Sequence, residues 1–456
     1  MLRDGARLMT ELPPPLSQLS NPAQQCDPRF AIATGISDMA GGEFEVVIVG
    51  GGAAGIAAAR RLREAGVEAL LIEARSRLGG RAWTLEAAGF PIDLGCGWLH
   101  SAGRNPWTPI AEAQGRAIDK TPPPWMRPSA QIGLVPADGA AFREAMWGFH
   151  AKVDAYPEGE PDRPAAALLE PQGPWNNLVN AVSTYYSGAE LDFVSLRDLA
   201  RYDDDGVNWR VVEGFGRVIA DHGADLTIAL DCAAERIDRR GRRLRVETTQ
   251  GPIVADAVIV TLPSALIAER EDLFFPALPE KTRAAAGLPL GLADKLFLSL
   301  ADAEQFDGDS RAFGDARRTA TAAYQFRPFG RPMVEAYFGG ALAAELETGG
   351  EAAFFDFAVS ELVGLFGAGF ARRVAPLQLH RWGSDPFARG SYSYALPGKA
   401  DCRAALAAPV DGRLFFAGEA CSRSDFSTAH GAFLTGVAAA DQAIAARPRG
   451  LASADR

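Results

Sequence analysis

From Glu45 onward the chain alternates apolar runs with turn signals in a readable order. Val46-Val47-Ile48-Val49 is an unbroken apolar run of strand length; a glycine turn follows, then an Ala-, Arg- and Leu-rich helix closing at Gly66, then a second apolar run, Ala69 to Ile72. Strand, helix and strand predict a βαβ unit. From about 101 to 205, Pro-rich loops (Pro122-Pro123-Pro124, Pro161, Pro164) alternate with helical windows, Ala141 to Val153 and Trp175 to Tyr186, so this part reads as mostly helical. Leu226 to Leu230, Arg236 to Ile237, Leu244 to Val246 and Val254 to Leu262 are short β-rich runs punctuated by Gly241 and Gly251, a hairpin-like meander leading into a buried strand. Residues 265 to about 385 alternate strand-like runs (Leu296 to Leu300, Val334 to Phe338) with a helix (Ala352 to Phe366), and the tail from Leu414 to Ala446 reads as strand, loop and long Ala-rich helix. No internal repeat recurs. Because the sheet and its closing helix draw on both ends of the chain, two interleaved domains are expected rather than two consecutive ones.

Composition narrows the class. The 456 residues are 48% hydrophobic and 23% charged, enough for a sizeable core and too apolar for disorder. A formal charge of −11 repels a phosphate backbone and attracts cations, so nucleic acid is not expected as a partner and a cationic small molecule is. Five scattered cysteines (Cys26, Cys96, Cys232, Cys402, Cys421) with no Cys-x-x-Cys fit neither a zinc site nor a disulfide framework, and no metal is expected. Residues 1–43 read as a weakly ordered arm, with Met39 as an alternative start and no signal-peptide pattern. Val46 to Ala59 is the longest apolar run, too short and too glycine-broken to span a membrane, so a soluble, cytoplasmic protein is expected. Six of the ten residues from Arg236 to Arg245 are arginine; their alternation with Leu244 and Val246 reads as a solvated hairpin rather than a phosphate patch.

The chemistry begins in Gly50-Gly51-Gly52-Ala53-Ala54-Gly55, a G-x-G-x-x-G placed straight after a buried strand and at the start of a helix. Gly50 permits the tight turn, Gly52 lets the backbone approach a pyrophosphate, and Gly55 lets helix pack on strand, with Ala54 between them and free N–H groups facing the phosphates. Glu73 ends the second strand, where a carboxylate holds ribose hydroxyls. The continuation Glu73-Ala74-Arg75-Ser76-Arg77-Leu78-Gly79-Gly80-Arg81 adds two more glycines and puts Arg75 and Arg81 at short range to phosphate.

Glu73 to Arg81 resembles the FAD-binding segment of the flavin-containing amine oxidases, the family of monoamine oxidases, polyamine oxidases and lysine-specific demethylases. Three further stretches carry the resemblance over nearly the whole chain from about 44 to 447. Asp93 to His100 is similar to the family's second glycine motif near the isoalloxazine, with Gly97 and Trp98 on the cofactor, and Trp98 with His100 looks like the polyamine-oxidase branch. Trp382 to Tyr394 resembles the segment lining the substrate side of the flavin. Phe415-Phe416-Ala417-Gly418-Glu419 followed by Thr428-Ala429-His430-Gly431-Ala432 is similar to the closing FAD motif, in which Gly418, Glu419, Thr428 and Ala429 contact the cofactor. Ala234, at the head of the meander, joins the same set. Ser427 or Thr428 caps the last helix, whose positive end faces the ligand. Monoamine oxidases tie their flavin to a cysteine whose place here matches Ser391, so FAD is expected without a covalent bond. The implied fold is α/β: a Rossmann-like (GR2-type) FAD-binding domain, 44–100, 210–264 and 390–447, interleaved with an α+β substrate-binding domain, 101–209 and 265–389.

Lys295, at the head of the apolar strand Ala293 to Leu298, matches the family lysine that holds a water near flavin N5, and is assigned the catalytic role. Trp98, His100, Trp382, Tyr392, Tyr394 and Phe426 are the expected pocket residues, because aromatic walls position an amine and hold an ammonium by cation–π attraction. Where relatives place a second aromatic wall, this chain has Asp425-Phe426-Ser427-Thr428, so Phe426 either takes that wall or leaves it open; Asp425 reads as a loop carboxylate and His430 as a packed, hydrogen-bonded residue. The resemblance implies oxidation of a primary or secondary amine, polyamine-like in one reading, to an imine that water hydrolyses, with oxygen reduced to peroxide. Two alternatives stay open. A desaturase or protoporphyrinogen-oxidase-like protein has no need of Lys295, and an L-amino-acid oxidase needs an arginine clamp that no single arginine reveals in sequence.

Overall fold

The computed structural model describes residues 43–447. The expected arm lies outside them, apart from Glu43, which opens the first strand.

Two sheets organise the chain. The first is built on Glu43–Val49, which runs parallel to Ala69–Ile72 on one side and to Ile253–Val260 on the other. Ala69–Ile72 then pairs with Ile228–Ala229, and the end of Ile253–Val260 with Leu414–Phe416, both parallel. Strands buried on both faces read as continuous apolar runs, and Val47, Ile48, Val258 and Ile259 are fully buried. The meander is present: Ala234–Asp238 and Leu244–Thr248 pair antiparallel and lead into Ile253–Val260. Four of its six arginines are ion-paired, Arg240 with Asp238, Arg245 with Glu247, Arg239 with Asp411, and Arg243 with Glu43 and Asp256.

The helix Ala53–Glu64 covers one face of this sheet, and the closing helix Ala429–Ala446 packs across it. At their closest approach a Cβ on Gly436 would lie 2.2 Å from the Ala54 carbonyl, so only glycine lets the two backbones meet.

The second sheet is antiparallel, in the order Ser310–Phe313, Ala323–Phe326, Met333–Gly339, Ala293–Leu300, Val374–His380. Its outer face buries Leu296, Leu298, Ala336 and Phe338 against the helices Gly340–Gly349 and Glu351–Phe366. The stretch expected to be helical holds Pro136–Asp154 and Asn176–Ser187; the former starts earlier than its apolar window because Pro136 occupies the first turn, where a missing N–H costs nothing.

One boundary differs from the sequence reading. Residues after 264 were expected in the second domain, yet Phe274–Phe275 extends the first sheet beside Ala234–Asp238, and Ile267, Leu278, Ala285 and Leu288 share its core. Short helices carry no period that says which sheet they cover. Among the described residues no helix is long and apolar enough to cross a membrane.

Candidate active site

The glycine turn shows what each glycine does. Gly50 has φ +112°, and a Cβ on Gly55 would stand 1.9 Å from the Gly50 carbonyl. A Cβ on Gly52 would meet nothing within 4 Å, so its α-carbon faces open space, and the helix starting at Ala53 has no side-chain cap. Uncapped N–H groups beside an open glycine form an anion cradle. Gly79 bridges back to Gly52, and the left-handed Gly80 packs behind it.

Glu73 is buried under this turn. Its Oε2 accepts from the Gly51 N–H at 2.7 Å and its Oε1 from the Arg75 N–H at 2.9 Å, which leaves each oxygen a second lone pair for ribose hydroxyls. Ala74 links the two. The adjacent loop is tied in by the Cys232 N–H, which donates to the Glu73 carbonyl at 2.8 Å just before Ala234 begins its strand. These residues fit a dinucleotide: open backbone donors, a carboxylate with spare acceptor capacity, and no side chain filling the cradle.

Arg75 and Arg81 do something the sequence did not show. Arg75 pairs with Asp385 at 2.6 Å and Arg81 with Glu419 at 2.9 Å. Both bonds join the first cofactor segment to the later motifs, 310 and 338 positions away. Asp385 also meets His380 at 3.0 Å; burial would raise its carboxyl, but His380 and Arg75 hold it well below the usual range. Glu419 accepts from the Ser393 hydroxyl (2.6 Å) and the Ser427 N–H (3.1 Å) as well, so it fixes the approach to the closing helix. That helix is capped by Thr428, whose hydroxyl accepts from the Gly431 N–H at 3.0 Å, while Ser427 donates to the Ser393 carbonyl. The Ala429 carbonyl accepts from the Trp107 indole at 3.0 Å. Gly418 has φ +137° and open space about it.

The lysine stands where the second sheet meets the hairpin strand Phe90–Asp93. Lys295 is buried, its Nζ 3.1 Å from the Asp93 carbonyl and 3.1 Å from Glu335 Oε1. Burial alone lowers a lysine, but the Glu335 carboxylate, with Tyr337 and Asp93, reverses this and holds the ammonium above its ordinary value. A cleft opens here, lined by Lys295, Glu335, Gly97, Trp98, Arg210 and Phe329 among others. Arg210 lies over the rings of Trp98 and Phe329 at 5.0 and 4.0 Å and is paired with Asp119 and Asp309.

Of the expected pocket residues, Trp98 lines this cleft and the others sit elsewhere. Trp382 is almost fully buried, its indole donating to the Leu94 carbonyl at 3.1 Å and its ring against Gly95. The Tyr392 hydroxyl lies 3.0 Å from that of Tyr337, whose ring is 5.8 Å from Lys295 Nζ, so Tyr392 reaches the lysine through an intermediary. His100 is bonded to Asn208, and burial lowers its pKa. Tyr394 packs with the helical cluster around Phe142 and Leu178. Phe426 does not offer its ring as a wall here: Arg403 covers one face at 3.8 Å and Tyr202 meets it at 5.2 Å. Asp425 is held by Arg104 at 2.7 Å and by His430 at 3.2 Å, and both loop carboxylate and histidine are buried. Ser391 exchanges hydrogen bonds with the Ala293 backbone, its hydroxyl accepting from the N–H at 2.8 Å and donating to the carbonyl at 2.9 Å.

Glu335, Tyr337 and Arg210 were missed. A signal for the first two existed: in the run Val334 to Phe338 they are the polar positions of an otherwise apolar strand, alternating with period two.

The comparisons with known proteins agree with this geometry. The family model described as flavin containing amine oxidoreductase matches residues 166–444, and one described as NAD(P)-binding Rossmann-like domain matches 48–111. Polyamine oxidase 2 of Arabidopsis thaliana is 29% identical, with 87% of each chain covered. Polyamine oxidase 3 of Oryza sativa subsp. japonica is 30% identical, covering 87% of this chain and 88% of the relative. Among solved structures, a putrescine oxidase triple mutant redesigned in cofactor binding superposes with a TM-score of 0.71 at 17% identity, covering 88% of this chain and 99% of that one. With its dinucleotide cradle, its lysine cleft and these matches, the chain belongs to the flavin containing amine oxidoreductase family and is an FAD-dependent amine oxidase.

Proposed function

We propose that the substrate is a small primary or secondary amine, polyamine-like, oxidised to an imine that water hydrolyses to a carbonyl compound and an amine or ammonia. The observation that carries this is the buried Lys295 ammonium on the wall of a cleft shared with Trp98. FAD, held without a covalent bond, would supply the redox chemistry of a two-electron oxidation at the carbon next to nitrogen, with oxygen as the final acceptor and hydrogen peroxide as its product. The chain supplies position and charge. Gly52, the uncapped start of the helix Ala53–Glu64 and Glu73 hold the dinucleotide, Lys295 Nζ holds a water by hydrogen bonding, and Trp98 presents an aromatic wall to the amine.

A second reading rests on Arg331, a buried guanidinium on the same cleft that donates to the Pro91 and Val212 carbonyls and has no carboxylate within ion-pairing distance among the described residues. Such a cation suits a substrate carboxylate, which favours an amino acid. The test is anaerobic mixing of the yellow protein with mono-, di- and polyamines and L-amino acids, following the flavin band. Bleaching by di- or polyamines, then peroxide on admitting air, is expected; bleaching by L-amino acids alone selects the second reading. If dithionite bleaches the band and no amine or amino acid does, both readings fall.

A further inference from the structure

We propose that Glu335 is the positioning residue for Lys295, locking it as a hydrogen-bond donor toward the cleft; this rests on the amine-oxidase reading of the site. The register places it. Lys295 is opposite Tyr337 and Phe297 is opposite Glu335 in the antiparallel pair, so Glu335 stands diagonal to the lysine on the same face. The reach closes to 3.1 Å. Among the described residues Lys295 is the carboxylate's sole ion-pair partner.

The consequence follows from counting hydrogens. A lysine ammonium has three N–H donors and no acceptor. Two are taken, by Glu335 and by the Asp93 carbonyl, and the third is left for whatever occupies the cleft. A neutral amine with the same two bonds would turn a lone pair to the cleft instead. The carboxylate therefore decides whether Lys295 offers a donor or a base, and with Glu335 beside it, a donor. Lys295 holds water by donating and takes no proton from the substrate amine.

The surroundings do not compete for this role. On the strand Met333–Gly339 the groups facing Lys295 are Glu335 and Tyr337; on the strand Val374–His380 it is His380, whose Nε2 is bonded to Asp385. The Asp93 carboxyl accepts from the Phe215 and Gly216 N–H groups at 3.0 and 3.2 Å, and burial raises its pKa. Cys96, in the loop after it, is pushed by burial to about 12 and stays a thiol. Of the two arginines on the cleft, Arg210 is paired with Asp119 and Asp309, and Arg331 is bonded to carbonyls.

The chain has few lysines (Lys120, Lys152, Lys281, Lys295, Lys399), so carbon-13 labelling at lysine Cε gives a spectrum in which Lys295 is identified by the Lys295→Arg variant. The holoprotein, without amine, is titrated. In wild type, Lys295 is expected to titrate above the ordinary lysine range; in Glu335→Gln its midpoint falls by about one to two pH units, the size expected for losing an adjacent opposite charge. Glu335→Asp recovers part of the shift. The pH profile of flavin reduction in Glu335→Gln gains an inflection at the lowered midpoint. A folded Glu335→Gln protein with an unchanged Lys295 midpoint overturns the proposal. Should that variant fail to fold, Glu335→Asp, whose shorter side chain draws the carboxylate away from Nζ, is read at the same Lys295 signal; a Lys295 midpoint unchanged from wild type overturns the proposal equally. The titration uses no substrate, so a shift in Lys295 alongside an amine panel that bleaches nothing leaves the pairing intact and fails only the amine reading.

Discussion

The nucleotide cradle and the lysine cleft lie in one molecule but are built from opposite materials. The cradle is mostly backbone: Gly50, Gly52, Gly55, Gly79 and Gly80 act through the absence of a Cβ, and Glu73 acts on the N–H groups of Gly51 and Arg75. The cleft is mostly side chains from separate elements: Lys295 and Glu335 from the second sheet, Trp98 from the loop after the hairpin strand Phe90–Asp93, and Arg210 from the short strand Arg210–Val211. Backbone sites need residue types at fixed local spacing. Side-chain sites need a register, which is a property of the assembled sheet.

Changes that set the two regions against each other test the contrast. Gly55→Val should have the largest effect, since the added carbon meets the Gly50 carbonyl at 1.9 Å and backbone cannot step aside as a side chain can. The cost should exceed the ~1–3 kcal/mol of ordinary overpacking, and purified protein should carry little flavin per chain by absorbance. Lys295→Met should leave flavin content unchanged while amine-driven flavin reduction slows about a hundredfold or more, the scale of losing one positioned hydrogen-bond donor. Released flavin in that variant would join the two regions into one unit. Glu73→Gln should weaken FAD about ten- to a hundredfold in a dialysis titration, in line with the ~1.5–3 kcal/mol of hydrogen bonds to a charged group, with the rate of the remaining holoenzyme unchanged.

The smallest effect is expected at low pH, behind both regions. Burial pushes the Asp425 carboxyl up, but hydrogen bonds from His430 and Arg104 overcome it and hold its pKa at about 2. A depressed carboxylate contributes stability above its unfolded value that is lost as pH falls through the folded one, so the window runs from about pH 4 to about pH 2. Thermal melts of Asp425→Asn should show a shallower loss across that window than wild type does, with flavin reduction at neutral pH unaltered.

Much of the fold and of the cradle is legible in the amino-acid sequence. The βαβ unit, the meander, the ion-paired arginine hairpin, Thr428 as one of two caps and the buried, bonded state of His430 all follow from local pattern. The placement of Ser264 to Leu288 does not, because short helices around Phe274–Phe275 could pack on either sheet. Nor do the fates of the aromatic residues: Phe426 lies under Arg403, Tyr394 joins a helical cluster, and Trp382 backs the Gly95 loop. Aromatic side chains satisfy a core and a pocket equally well, so their type alone does not choose. Arg75 and Arg81 fit phosphate chemistry by type, yet each finds a carboxylate more than 300 positions away.

The nucleotide cradle and the strand that carries Lys295 are written in consecutive residues whose backbone demands are local, and the motifs that resemble the flavin amine oxidases are short runs of the same kind. That Glu335 meets Lys295 and Arg81 meets Glu419 emerges with the assembled fold. Those contacts depend on which strands neighbour one another and in what register, and that outcome is settled by burying the whole core at once.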